Sequence, residues 1–229
     1  DVDIQAGVAV WNDKTGSYDL LTDPKLGSFY EDNKTFVGQD GPQTNSPNVS
    51  NTGFYIRKFI SEASGYTLRN YAENWWPWFR LGEIYLNAAE AAFELNDEPT
   101  ALPYINRLRQ RAGFPANSLT SLTIEKIQNE RRVELAFEDH RYFDMKRWRI
   151  ADITWNGNID NDKAIVYGLY PYRIAVAKPG TQDQDKYIFV KTRSERFKVA
   201  RTFQQSNYYS FIADDVINNN PTIVKNPFQ

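Results

Sequence analysis

The chain of 229 residues has no cysteine, a single histidine and no long apolar run, and each scarcity excludes a class of chemistry. Without cysteine there is neither a disulfide framework nor a thiolate nucleophile. No stretch approaches the roughly 20 consecutive apolar residues of a membrane-crossing helix. The opening Asp1-Val-Asp-Ile-Gln5 is no secretory signal, so any export segment is expected outside these residues. A basic excess is missing as well: 27 Lys and Arg against 29 Asp and Glu leave a net charge of -2. A partner held mainly through phosphates, nucleic acid above all, calls for a basic face and is set aside. Gly-rich phosphate loops, nucleophile elbows and zinc motifs are also lacking, and no cofactor or metal is expected.

What is abundant is aromatic side chains. They make up 15% of the chain, with 6 Trp, 14 Tyr and 14 Phe, so either the core is unusually aromatic or some rings stand on the surface. Their setting changes along the chain. Residues 1–78 are rich in Gly, Asn, Asp, Ser and Pro and read as loops with a few short strands, such as Val8-Ala-Val-Trp11. Between 79 and 150 the texture is helical. Leu81, Ile84, Tyr85, Ala88, Ala92 and Leu95 share one helical stripe, predicting a helix from about Phe79 to Leu95. Leu102, Ile105, Leu108 and Ala112 repeat the spacing before Gly113 and Pro115 stop it. The two make a helical hairpin of the tetratricopeptide kind, and one pair alone needs something to pack on. A third helix is predicted from the N-cap Thr123 through Glu138, with a further turn or two over Phe143–Trp148. Residues 151–229 return to loops, with strands over Val166–Val176 and Tyr187–Thr192 and an extended tail from Tyr208. The fold class is therefore mainly α, in an α+β arrangement.

Charge is densest between Glu130 and Arg149. A catalytic reading makes Glu134, Glu138 and Asp144 acid/base groups and His140 a shuttle or ligand. The structural reading is preferred: arginines interleaved with carboxylates form ion-pair networks, which imitate active sites. Glu134, Glu138, His140 and Asp144 match no zinc or di-iron spacing.

The rings suggest a binding surface instead. Asn74-Trp-Trp-Pro-Trp78 places three indoles in a Pro-containing approach where at least one should face outward, and Trp11, Phe29, Tyr30 and Trp155 lie among Asn, Asp and Gly. A sugar presents an apolar C–H face ringed by hydroxyls, which flat rings beside short amides and carboxylates can hold. Each single ring can equally anchor a loop to the core. The candidate ligand-binding residues are Trp11, Phe29, Tyr30, Trp75, Trp76 and Trp155.

Arg80-Leu-Gly-Glu-Ile-Tyr-Leu-Asn-Ala-Ala-Glu-Ala91 resembles a helix of the SusD/RagB family, and further landmarks follow in order. Tyr104-Ile-Asn-Arg-Leu-Arg-Gln-Arg-Ala-Gly113 is similar to the family's second helix, and the run from Ile127 through Glu130-Arg-Arg-Val-Glu134 and Glu138-Asp-His-Arg141 to Trp148 to its core segment. Asp23–Leu26, Thr52–Lys58 and Asp215–Pro227 resemble shorter ones. Asp139 stands where the family usually has Gly, Lys25 where it has Arg, and Ala213 where it has Pro.

The resemblance implies a non-enzymatic, surface-exposed lipoprotein of the Gram-negative outer membrane that captures glycans and caps a SusC-like TonB-dependent transporter. It also implies a longer parent whose N-terminal half, with a lipidated cysteine as the membrane anchor and further tetratricopeptide-like helices, lies outside these residues. The charged residues Arg80, Glu83, Glu90, Arg131, Arg132, Glu134, Glu138, Arg141, Asp144 and Arg147 are expected to build the fold. The family's ligand contacts vary, so the candidate rings rest on their chemistry alone. Rival readings are a peptide-binding tetratricopeptide-like scaffold and a glycoside hydrolase using Glu134 and Glu138, which requires both carboxyls in an open cleft.

Overall fold

A computed structural model of the chain describes residues 7–21, 54–61, 74–194 and 199–228. The chain divides into two compact units, Arg57–Ala151 and the pair Asp1–Ile56 with Asp152–Gln229.

The first unit is helical. α1 spans Leu81–Glu94 and α2 spans Glu98–Arg111. The reversal between them follows from Asn96, held in the left-handed region at φ 61, and from Asp97, whose carboxylate accepts from the Thr100 amide while Pro99 occupies the first turn. The face of α1 that packs is not the predicted stripe: Leu81, Ile84 and Leu95 are exposed, because α1 turns Glu83 and Glu90 inward to ion pairs. Leu86, Ala89, Ala101, Ile105 and Leu108 are buried together with Leu122, Ile127 and Leu135. Residues after α2 are tied back to it by polar side chains. Asn106 donates to and accepts from the Leu119 backbone at 2.9 Å each way, and Glu98 accepts from the Leu122 amide at 2.6 Å.

α3, Ile124–Glu134, starts as expected at Thr123, whose hydroxyl accepts from the Lys126 amide. It stops one turn earlier than its sequence suggests. Phe137 and Asp139 take left-handed backbone, φ 65 and 61, and α4 runs separately over His140–Arg147. The break has a physical reason: ending at Glu134 exposes carbonyls that cations take up, and the turn swings Glu138 back toward Arg80.

The second unit holds a four-stranded sheet of order β2-β1-β3-β4, formed by β1 (Gly7–Asn12), β2 (Ser17–Leu21), β3 (Tyr167–Val176) and β4 (Tyr187–Arg193). β1 runs parallel to β3, while the other neighbours are antiparallel. Ala9, Tyr170, Tyr172 and Ile174 form its core. A side chain at Gly7 would meet the Tyr172 ring at 2.5 Å, so close packing demands glycine there. A short helix, α5, covers Ala151–Thr154. The tail is less extended than expected, since it contains a 3-10 turn at Gln205–Tyr208 and α6 at Asp214–Asn219. Among the described residues no helix is long and apolar enough to cross a membrane.

Candidate functional site

The helical unit carries two ion-pair networks. In the first, Arg80 precedes α1 in extended backbone and aims its guanidinium at the end of α3. Its Nε donates to Glu138 Oε2 at 2.6 Å, Nη1 to Glu134 Oε1 at 2.5 Å, and Nη2 to both the Glu134 carbonyl and Glu138 Oε1. Arg111, the last residue of α2, adds Nη2 to both oxygens of Glu134 at 2.8 and 2.9 Å. Lys58 donates to the Glu134 and Ala136 carbonyls and to Glu138. Cations at a helix C-terminus satisfy carbonyls that have no intrahelical partner. Gly82 makes room for this network, because a Cβ there would collide with Arg80 Nη1 and lie 2.9 Å from Glu134 Oε1.

The second network lies along α1 and α4. Arg131 Nε donates to both oxygens of Asp144 at 2.8 and 2.7 Å, and Nη1 to Asn87 at 2.7 Å. Glu83 stands 3.9 Å from Arg131 and 3.8 Å from His140 Nε2. Arg147 grips both oxygens of Glu90, and the Trp148 indole also donates to Glu90 at 2.8 Å. Burial by itself raises the pKa of Glu90 and of Glu138. In each, the hydrogen bonds outweigh it, from Arg147 and Trp148 on Glu90 and from Arg80 and Lys58 on Glu138, and hold the carboxyl below its usual value.

Most of the charged residues singled out in the sequence thus converge, though across the fold rather than along one helix: Arg80 is 54 and 58 positions from its two carboxylates. Arg132 is exposed and joins none of these pairs, and Arg141 is half-buried in the first turn of α4. Glu134 and Glu138 do not lie one turn apart on one helix, because α3 ends at Glu134. Their side chains are 9% and 4% exposed beneath Arg80, Arg111 and Lys58. Both carboxylates are taken up by these cations and neither stands exposed in an open cleft. Sequence reasoning missed Lys58, Arg111, Gly82 and Trp148, since nothing local marks a partner that lies so far along the chain. Among the described residues no three His, Asp or Glu side chains are grouped to hold a metal ion.

The candidate rings separate into two settings. In the helical unit, just before Arg80, Trp75 is 92% exposed, Trp78 and Phe79 are each 80% exposed, and Trp76 is 46% exposed. Trp76 stacks on Phe59, centroids 5.0 Å apart with planes inclined by 28°. Phe59 itself has φ 67, an unusual conformation for a bulky residue, and its carbonyl accepts from the Asn74 side chain. In the sheet unit, Trp11 and Trp155 are half-buried and engaged. Trp11 meets Tyr18 edge-on at 5.2 Å and donates to Asp13, while Trp155 packs 6.3 Å from Phe203. Phe29 and Tyr30 lie outside the described residues.

Beside the Phe59–Trp76 stack is an open hollow of about 430 Å³ lined by Lys58, Phe59, Pro77, Arg80, Arg111, Val133, Glu134 and Glu138. The helical unit thus joins exposed rings to a hollow with charged and apolar walls, a candidate binding surface in a protein of the α+β class.

Comparison with known proteins gives this class its family: residues 9–228 match the SusD family, and the chain belongs to it. A SusD-like protein, P25, from Formosa agariphila is 43% identical over 79 residues, which is 31% of this chain and 15% of that protein. A SusD-like protein from Bacteroides ovatus is 27% identical over 172 residues, 64% of this chain and 29% of that one. The crystal structure of a SusD-like protein from Bacteroides fragilis is 25% identical with a TM-score of 0.53, covering 99% of this chain and 37% of its own. The chain therefore spans less than a third of those two curated relatives.

Proposed function

We propose that this chain takes part in non-catalytic binding of a glycan at the outer-membrane surface, for delivery to a SusC-like TonB-dependent transporter. In this reading the protein is a surface lipoprotein and touches the membrane only through a lipid anchor on a segment outside these residues. Membership of the SusD family supports the role, the location and the partner. The observation that carries glycan binding is the Trp75–Phe79 approach: an indole that is 92% exposed, beside a second indole fixed by stacking on Phe59. Rings kept in water at that cost in apolar exposure suit a ligand with apolar faces and many hydroxyls. The rings that form this platform are Trp75 and Trp76. Trp11 and Trp155, packed against neighbours in the sheet unit, are weaker candidates.

Calorimetric titration with hexasaccharides of galactose, xylose and galacturonic acid tests the reading. At least one should bind, and Trp75→Ala should weaken it. No heat from any glycan, alongside binding of an extended peptide library, would move the function to peptide capture.

A further inference from the structure

The hollow beside the Phe59–Trp76 stack has an uneven electrostatic layout. Its three cations are more exposed than its carboxylates, with side-chain exposures of 65% for Arg111, 35% for Lys58 and 26% for Arg80 against 9% and 4% for Glu134 and Glu138. The reachable lining is thus positive and its counter-charges lie beneath. Three cations against two anions also leave an excess of one positive charge.

The cations are not equally available. Lys58 has three hydrogen-bond acceptors, enough to use every ammonium proton. Arg80 is engaged through all three nitrogens. Among the described residues, Arg111 reaches Glu134 through Nη2 alone, which leaves Nε and Nη1 as open donors. The rest of the lining is apolar, formed by Phe59, Pro77 and Val133, the last 64% exposed.

Resting on the glycan reading above, we infer that this hollow is a subsite for an anionic pyranose. The sugar's C–H face lies on Phe59 and Pro77, and its carboxylate or sulfate ester takes the open donors of Arg111. A neutral sugar would gain the apolar wall but leave the guanidinium unanswered. An anion also gains from the field of Lys58 and Arg80, whose own bonds remain intact. Arg suits the task because its planar fork can hold Glu134 and a second anion at once.

The test compares hexagalacturonate, a sulfated galactan hexasaccharide and a neutral galactose hexasaccharide by calorimetry on the 229-residue chain. At least one anionic probe should bind roughly tenfold more tightly than the neutral one, the size expected for hydrogen bonds to a charged group. Arg111→Gln should erase that preference while leaving neutral-sugar affinity unchanged, with a small fall in melting temperature because Glu134 keeps Arg80 but loses its bonds from Arg111. Arg111→Lys should restore part of the preference. Raising the ionic strength should narrow the gap. If the neutral probe binds as well as both anionic ones, or if Arg111→Gln leaves the preference intact, the inference fails while the glycan reading stands. Absence of binding by all three, with binding of peptide instead, removes both.

Discussion

Arg80 separates two regions that invert the usual arrangement of side chains. Just before it, Trp75, Trp78 and Phe79 project into water; after it, Glu83, Glu90, Arg131, Glu138 and Asp144 are buried. Burying a charge is costly unless it is paired and hydrogen-bonded, and leaving large rings in water forgoes the free energy of burial. The buried charges satisfy one another, so they account for themselves. The exposed rings have no such account within the helical unit, and in the proposed reading a ligand supplies one. The difference teaches where to look for function: at groups whose placement the fold does not explain, instead of at those with the densest chemistry.

The comparison is broken most forcefully at Arg131. Its side chain and that of Asp144 are each 6% exposed, and Arg131→Met strands a buried carboxylate. Chemical denaturation should show a loss of about 3–5 kcal/mol, or failure to fold. Gly82→Ala comes next. A methyl group displaces Arg80 from Glu134, and the loss should be about 1–3 kcal/mol, the range for forcing atoms into a filled space. Trp75→Ala should do the opposite of both, changing stability by less than about 0.5 kcal/mol because the ring touches little.

Acid gives a graded version of the same contrast. Glu90 and Glu138 have folded-state pKa values below the ordinary 4.5. Their contribution is therefore complete above that value and is lost as the pH falls below it toward the depressed folded values. A melting series should be flat with respect to these two groups at neutral pH and decline below about pH 4.5; Glu138→Gln should be destabilised at neutral pH and flatten that decline. The smallest effect is expected at Asp139, whose φ of 61 places an L residue in the left-handed region. Asp139→Gly should relieve strain, offset by the greater entropy of an unfolded glycine, for a net gain below about 1 kcal/mol.

Much of the fold is legible along the chain because its determinants are local. The positions of α1 and α2 and the turn between them follow from apolar spacing and from Asp97 and Pro99, though not which face of α1 is buried, and β3 and β4 follow from β-branched and aromatic runs. The end of α3 is not legible, since it is decided by Lys58 and Arg80 taking the Glu134 and Ala136 carbonyls from far away in sequence. The candidate site divides in the same manner. The Trp-rich approach stands out by composition, but its exposure, the stacking of Trp76 on Phe59 and the outward turn of Arg111 arise only from long-range packing.

The most direct test is a paired measurement on Trp75→Ala: its melting temperature and its affinity for the best-binding hexasaccharide. The account predicts an unchanged melting temperature and affinity reduced by about tenfold, the upper range for one ring contact. Unchanged affinity would contradict it, leaving the exposed indole without a role in ligand binding.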